Sequence, residues 1–177
     1  WTSGDLNMDN AEIQNAGSFD INEVRAYGVN SNGINPRVFR NLNSGVLMSR
    51  NGAGVSHFFF TSNFVNQGKV EERTFDLIFS TLENYGTIEA YPNAFVRPFE
   101  GVFANGTSIQ GKGTLQLGNT SINTPIQLDS TRLQFWSNPA TSIVNGSGSI
   151  STNAEIDFRS GNVAVPITIL SGGTLSL

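Results

Sequence analysis

The stretch Leu82-Glu83-Asn84-Tyr85-Gly86-Thr87-Ile88-Glu89-Ala90 carries the pattern from which the fold can be predicted. An apolar residue is followed two positions later by Asn, two further on by Gly, and then by alternating apolar and polar residues. Alternation with a period of two is typical of a β-strand that buries one face. Asn and Gly both tolerate positive φ, so we expect a tight turn in front of that strand.

The same pattern recurs along most of the chain. Further copies begin at Ile13, Phe39, Phe64, Phe103 and Ile143, and the second of these carries a short insertion. The segment GTLQL at 113–117 returns as GTLSL at 173–177, sixty residues later, and three units of about 20 residues fit that interval. We therefore predict that the Asn and Gly residues of these copies occupy equivalent structural turn positions: Asn15, Gly17, Asn41, Gly45, Asn66, Gly68, Asn84, Gly86, Asn105, Gly106, Asn145 and Gly148.

The composition excludes several classes of protein. Charged residues make up 14% of the chain, the formal net charge is −4, and there are only two lysines, Lys69 and Lys112. A nucleic-acid-binding surface would need clustered Lys and Arg, so we expect none. The chain has no Cys, which excludes disulfides and thiolate metal sites. No apolar run is long enough to cross a bilayer.

Two all-β architectures fit short strands with frequent turns. One is a β-sandwich, and the other is a β-solenoid in which each unit is one coil stacked on the last. A fixed Asn-x-Gly-x-apolar register favours the solenoid, because stacking places like residues above like and lets Asn side chains form a ladder. Residues 71–83 come closest to a helical pattern, but their β-branched and aromatic content favours strands. We predict a single domain over 1–177 and, because the chain starts at Trp1 and stops inside a repeat, expect it to be part of a longer protein.

The Asn-x-Gly-x-apolar and Gly-Gly-Thr-Leu-x-Leu units resemble the repeats of right-handed parallel β-helices in large bacterial surface and secreted proteins, such as autotransporter passengers and filamentous adhesins. The resemblance covers residues 13–177. It implies an extracellular or cell-surface location and a role in adhesion, matrix or fibres. Some proteins of this architecture are instead polysaccharide lyases, hydrolases or phage tailspikes.

Residues that could support chemistry are few. His57 is the only histidine and lies in a predicted strand, where we expect a structural role. The stretch Asp5-Leu6-Asn7-Met8-Asp9-Asn10 begins like a calcium loop but lacks the Gly and Glu that such a loop needs at its sixth and twelfth positions. We therefore predict no metal site, no cofactor and no catalytic residue.

A glycosidase would need two carboxylates roughly 5–10 Å apart across a cleft. Stacked coils bring acids this close easily, and no pair stands out among the candidates Glu71, Glu72, Asp76, Glu89 and Glu100. Five Phe residues are expected in the core: Phe39, Phe58, Phe60, Phe64 and Phe103. Five other aromatic residues could stack on sugars: Trp1, Tyr27, Tyr85, Tyr91 and Trp136. Sequons begin at Asn105, Asn119 and Asn145.

The leading functional hypothesis is a non-enzymatic extracellular structural protein, either an adhesin stalk or a subunit of a self-assembling fibre. Its expected partner is another copy or further coils of the same solenoid, with surface glycans as a second class of ligand. The alternatives are a carbohydrate-active enzyme or tailspike-like depolymerase, and a carbohydrate-binding module. Any site for these is expected in two segments that interrupt the repeat, 22–38 and 91–101.

Overall fold

The chain forms a parallel β-solenoid, seen in a computed structural model that describes residues 6–8, 11–21, 28–31, 37–50, 57–74, 76–135 and 142–177. All regular structure in this part of the chain is β-strand, and every strand pairing is parallel. The predicted solenoid is thereby confirmed over the alternative sandwich. Both 69–72 and 76–84 are strands, as the aromatic and β-branched content of 71–83 predicted.

The strands in chain order are β1 (Leu6–Met8), β2 (Glu12–Asn15), β3 (Ser18–Ile21), β4 (Gly28–Ser31), β5 (Val38–Asn41), β6 (Val46–Ser49), β7 (His57–Asn66), β8 (Lys69–Glu72), β9 (Asp76–Asn84), β10 (Thr87–Ala90), β11 (Phe95–Phe103), β12 (Ser108–Gly111), β13 (Thr114–Leu117), β14 (Asn119–Ile122), β15 (Pro125–Leu128), β16 (Arg132–Phe135), β17 (Ile143–Asn145), β18 (Ser149–Thr152), β19 (Glu155–Phe158), β20 (Asn162–Val163), β21 (Ile167–Ile169) and β22 (Thr174–Ser176).

These strands stack into three faces. The first face follows the order β1-β4-β7-β9-β11-β13-β16-β19-β22, and the second runs from β2 and β5 through the later halves of β7, β9 and β11 to β14, β17 and β20. The third face consists of β3-β6-β8-β10-β12 and, as a separate sheet, β15-β18-β21. Each coil thus visits the first, second and third face in turn.

The register gives the length of a coil. His57 is paired with Asp76, Asp76 with Phe95, and Phe95 with Thr114, so these coils advance in steps of 19 residues. The repeated segment at 113–117 and 173–177 follows the same rule, because β22 lies three strands beyond β13 on the first face. The repeat unit of about 20 residues is therefore one coil.

Alternating apolar side chains fill the space between the faces. All five Phe residues predicted for the core are buried, with at most 5% exposure, which confirms that prediction. The rings of Phe39 and Phe64 stack at 5.2 Å and those of Phe60 and Phe79 at 5.3 Å, while Phe64 also contacts Phe79 at 4.7 Å. Burying a Phe stabilises the fold by about 1.5–3 kcal/mol, so this column of rings is a main source of cohesion between coils.

The segment 91–101 is not an insertion, contrary to expectation. Residues 91–94 form the turn between β10 and β11, and the rest belongs to β11, which pairs along both faces with β9. The prediction was wrong because the repeat was recognised by its Asn-x-Gly turn, which follows the second-face strand. A first-face strand such as the start of β11 has no comparable motif. Of the segment 22–38, the structure describes only 28–31, 37 and 38; residues 22–27 and 32–36 lie outside the described residues.

Candidate functional site

Four of the predicted turn asparagines form one buried ladder, here called the asparagine ladder: Asn15, Asn41, Asn66 and Asn84. Each is the last residue of a strand on the second face and is at most 9% exposed. Nδ2 of Asn15 donates to Oδ1 of Asn41 (2.8 Å), Asn41 to Asn66 (2.9 Å) and Asn66 to Asn84 (2.7 Å). The ladder ends where Asn84 donates to Oγ1 of Thr107 at 3.1 Å.

The ladder has a structural role because it satisfies buried polar groups. The amide of Asn41 also donates to the carbonyl of Lys69 (2.9 Å), and that of Asn66 to the carbonyl of Thr87 (3.2 Å). A buried polar group without a partner costs about 1–3 kcal/mol, so each rung helps hold two coils in register.

Asn105 and Asn145 lie outside the ladder, although the sequence pattern aligned them with it. Asn84 is in register with Phe103, and Phe103 with Ile122, so apolar residues take the ladder position in the next two coils. Asn105 and Asn145 are exposed instead. An inward apolar residue fills the same space without needing a hydrogen-bonding partner, and local sequence does not reveal this exchange.

The turn glycines serve a different purpose from the one expected. Gly45, Gly68 and Gly86 do not have positive φ. A Cβ on Gly68 would lie 2.2 Å from the carbonyl oxygen of Gly45, and one on Gly86 would lie 2.1 Å from that of Gly68. Glycine is needed here because adjacent coils approach too closely for any side chain.

The other three predicted turn glycines, Gly17, Gly106 and Gly148, differ from one another. Gly148 resembles Gly45, Gly68 and Gly86, since a Cβ on Gly148 would lie 2.3 Å from the carbonyl oxygen of Thr124. Gly106 does have positive φ, at 97°, as the turn chemistry predicted. Gly17 has nothing within 4 Å of where a Cβ would be.

The carboxylate candidates are dispersed over the three faces. Glu71 and Glu89 are directly paired in adjacent coils of the third face, and this is the arrangement that a paired-carboxylate site would need. Lys69 occupies the space between them, with Nζ 2.7 Å from Glu71 and 2.6 Å from Glu89. Arg73 contacts the other oxygen of Glu71 at 2.6 Å. We call these four residues the Lys69 cluster.

The electrostatics of the Lys69 cluster are those of a structural ion network. Burial would raise the pKa of Glu71, but hydrogen bonds from Lys69 and Arg73 outweigh burial and hold that pKa below its usual value. The same hydrogen bond to Glu71 raises the pKa of Lys69. A general acid needs a raised pKa, so the carboxylate of Glu71 is tuned in the opposite direction.

The remaining carboxylate candidates do not converge. Asp76 pairs with Arg97 at 3.0 Å on the first face. Glu72 is buried at the end of β8 and accepts a hydrogen bond from the backbone N–H of Thr74 at 3.0 Å. Glu100 is exposed on the second face.

A polar stripe on the first face was missed by sequence reasoning. Nε2 of Gln116 donates to Oε1 of Gln134, and Nε2 of Gln134 donates to Oδ2 of Asp157 at 2.8 Å. That oxygen also accepts from Arg132 (2.9 Å) and Arg159 (3.0 Å). Burial would raise the pKa of Asp157, but the bonds from Gln134 and Arg159 outweigh it, so the pKa is lowered. The sequence feature that could have predicted this stripe is the recurrence of Gln directly after an inward Leu, at Gln116 and Gln134.

The predicted sugar-stacking aromatics do not form a platform in the described part of the chain. Tyr85 is 42% exposed at a turn, and Tyr91 is half-buried with the guanidinium of Arg73 5.0 Å above its ring. Trp1, Tyr27 and Trp136 lie outside the described residues. His57 is the first residue of β7.

The stretch 5–10, which begins like a calcium loop but was not expected to bind metal, is described only at residues 6–8, which form β1. Within the described ranges, no group of three or more His, Asp or Glu is placed to hold a metal ion. A search of the same residues for a helix long and apolar enough to cross a membrane found none.

The described residues also form concave surfaces, of which two bear on function. One is a groove of about 390 Å³ on the outside of the second face, which includes Glu100, Asn119, Ser121, Ile143 and Asn145. It was not predicted, because its residues come from four coils that lie far apart in the sequence.

The other is an apolar hollow of about 340 Å³ at the C-terminal end of the solenoid, here called the end hollow. It is lined by Phe135, Ile156, Phe158, Val163, Ile167, Ile169, Leu175 and Leu177.

Comparison with known proteins identified no relative of this chain. No protein-family model matches the chain, and no curated protein or solved structure matches it. The chain is therefore placed by its fold alone, as a parallel β-solenoid.

Proposed function

We propose that this chain is a structural segment of an extracellular stalk or fibre, in which the end hollow is covered by another coil of the same kind. That coil comes either from a second copy or from further sequence of a longer polypeptide. The proposal includes a location outside the cell, supported by the repeat resemblance and by a composition with few charges and only two Lys.

The observation that carries the proposal is a comparison of two copies of one repeat. In the copy at 113–117, Leu115 and Leu117 point into the core and are 2% and 1% exposed. In the copy at 173–177, Leu175 and Leu177 are 51% and 94% exposed. Among the described strands of the first face, β16 follows β13, whereas no strand follows β22.

Covering the hollow is energetically favourable. Burying a Leu side chain stabilises by about 1.5–3 kcal/mol, and the uncovered edge of β22 also offers backbone groups to a further parallel strand. A coil that docks by these contacts extends the rod along its axis, and repetition of such a contact produces an open filament.

The contacts between coils along the side walls support a structural role for the rod. The asparagine ladder, the close glycine contacts and the phenylalanine column each join successive coils along the axis. The candidate carboxylates that are paired in adjacent coils, Glu71 and Glu89, are both bound by Lys69, which favours a scaffold over a hydrolase at that position.

The test is assembly of the purified chain, followed by light scattering and negative-stain electron microscopy over increasing concentration. We expect end-to-end rods, and we expect the variant Leu175→Glu to shift the protein towards shorter species. The control is Tyr85→Glu, since Tyr85 is 42% exposed on the side wall and away from the hollow. Monomeric rods that hydrolyse a polysaccharide would contradict the proposal.

A further inference from the structure

The groove on the second face is a site that the stalk function does not use. Its volume of about 390 Å³ falls within the range of small-molecule sites, which are mostly apolar with a few fixed polar groups. Val102 and Ile143 provide apolar surface, and Ile143 is 46% exposed. The polar groups are Thr81, Glu100, Asn119, Ser121 and Asn145.

These polar groups are arranged by the register of the coils. Thr81 is paired with Glu100, and Glu100 with Asn119, so three successive coils each place one polar side chain along the rod. Ser121 is paired with Asn145 in a parallel row. Neighbouring coils are about 4.8 Å apart, which is comparable to the length of one pyranose ring.

The two asparagines are held with their donors available. Oδ1 of Asn119 accepts a hydrogen bond from the backbone N–H of Ile143 at 3.1 Å. Oδ1 of Asn145 accepts one from the hydroxyl of Ser121 at 2.9 Å. Because each amide oxygen is engaged, the orientation of each side chain is set and its Nδ2 group can donate to a ligand.

The charge of the groove selects among ligands. Among the described residues that line the groove, Glu100 is the one with a charge, and it is an acceptor of hydrogen bonds. An anionic polysaccharide would be repelled by Glu100, because no Lys or Arg of the described chain segments lines the groove to compensate the charge. Hydroxyl groups can both donate to Glu100 and accept from the two asparagines, and the carbon face of a sugar ring can rest on Val102 and Ile143.

We propose that this groove binds an uncharged oligosaccharide lying along the rod axis, with Asn119 and Asn145 as donors and Glu100 as acceptor. Such a site would give a stalk lateral contact with glycans. It does not depend on how the ends of the rod assemble.

The test uses a glycan array, followed by calorimetric titration with cellohexaose and N-acetylchitohexaose, and with trigalacturonate as an anionic comparison. The variants are Asn119→Asp and Asn145→Asp, which keep an oxygen that can accept the existing hydrogen bond, replace the Nδ2 donor by an acceptor oxygen and add one negative charge. We expect each to weaken binding of the uncharged probe at least tenfold. The matched control is Asn123→Asp, an exposed residue outside the groove, which should bind like the wild type.

Circular dichroism and thermal midpoints would verify that the variants stay folded. Three results would overturn the proposal: no uncharged glycan bound at millimolar concentration, preference for the anionic probe, or binding equally retained in Asn119→Asp, Asn145→Asp and Asn123→Asp. A loss confined to the two groove variants supports it.

Discussion

Nδ2 of Asn66 donates a 2.7 Å hydrogen bond to Oδ1 of Asn84, a residue 18 positions further along the chain. Both side chains are fully buried, and the bond joins one coil to the next. Together with the bond from Asn41 to Asn66 at 2.9 Å, it makes Asn66 an interior rung of the ladder.

Replacing Asn66 by Leu should destabilise the protein by about 1–3 kcal/mol. The substitution preserves size but leaves Oδ1 of Asn84 without its donor, and a buried unsatisfied group carries a cost of this order. Urea denaturation measures the change. Asn63→Leu is the matched control, because Asn63 is exposed on the same strand, and it should change stability by no more than about 0.5 kcal/mol. Equal effects of the two variants would show that the ladder contributes nothing specific.

Gly68→Ala should be strongly destabilising, by about 3 kcal/mol or more, because the new methyl would lie 2.2 Å from one carbonyl oxygen and 2.3 Å from another. Since both atoms belong to backbone, the clash can be relieved only by moving coils apart. Gly17→Ala has open space and should be nearly neutral, and thermal unfolding of the two variants compares them directly. A tolerated alanine at 68 would refute the close-approach explanation.

Phe64→Ala should cost about 3–5 kcal/mol, the usual range for removing a buried Phe. The ring of Phe64 contacts those of Phe39, Phe60 and Phe79, so its loss leaves a cavity shared by several coils. Phe99→Ala, at a half-buried position, should cost clearly less. Denaturant midpoints distinguish the two, and similar losses would mean that the interior column is not a special source of cohesion.

Lys69→Met should lower stability at neutral pH by about 1–2 kcal/mol, because Glu71 and Glu89 would face each other without the cation that joins them. The partial exposure of Lys69 keeps the figure modest. Lys112→Met is the control, since Lys112 is exposed and outside the cluster, and it should be near neutral. If both lysine variants unfold at the same denaturant concentration, the cluster has no net stabilising effect.

The Lys69 cluster also predicts a pH dependence. The folded-state pKa of Glu71 is lowered, so its stabilising contribution is present above the pKa of the unfolded chain and is lost as pH falls through the lower folded value. Wild type should therefore lose stability on acidification, and the difference between wild type and Lys69→Met should shrink as the carboxylates become protonated. A difference that stays constant from neutral pH into the acid range would contradict this assignment.

Much of the fold was predictable from local sequence. The Asn-x-Gly turn and the alternation after it, as in 82–90, reflect one strand and its turn, and repetition of that unit indicated stacking. The burial of Phe39, Phe60 and Phe64 followed from the same alternation. The role of the turn glycines could not be derived this way, because a clash between Gly68 and Gly45 depends on the distance between coils.

The sequence by itself determined the architecture, the length of the coil and the apolar core, because each depends on periodicity within one unit. Only the tertiary structure decided which of the repeated asparagines face inward, since Asn84 belongs to the ladder while Asn105 and Asn145 are displaced to the surface by the register of neighbouring coils. It also brought Glu100, Asn119 and Asn145 into one groove. The physical reason is that lateral position in a solenoid is set by pairing across coils of unequal length, and no local pattern encodes that pairing.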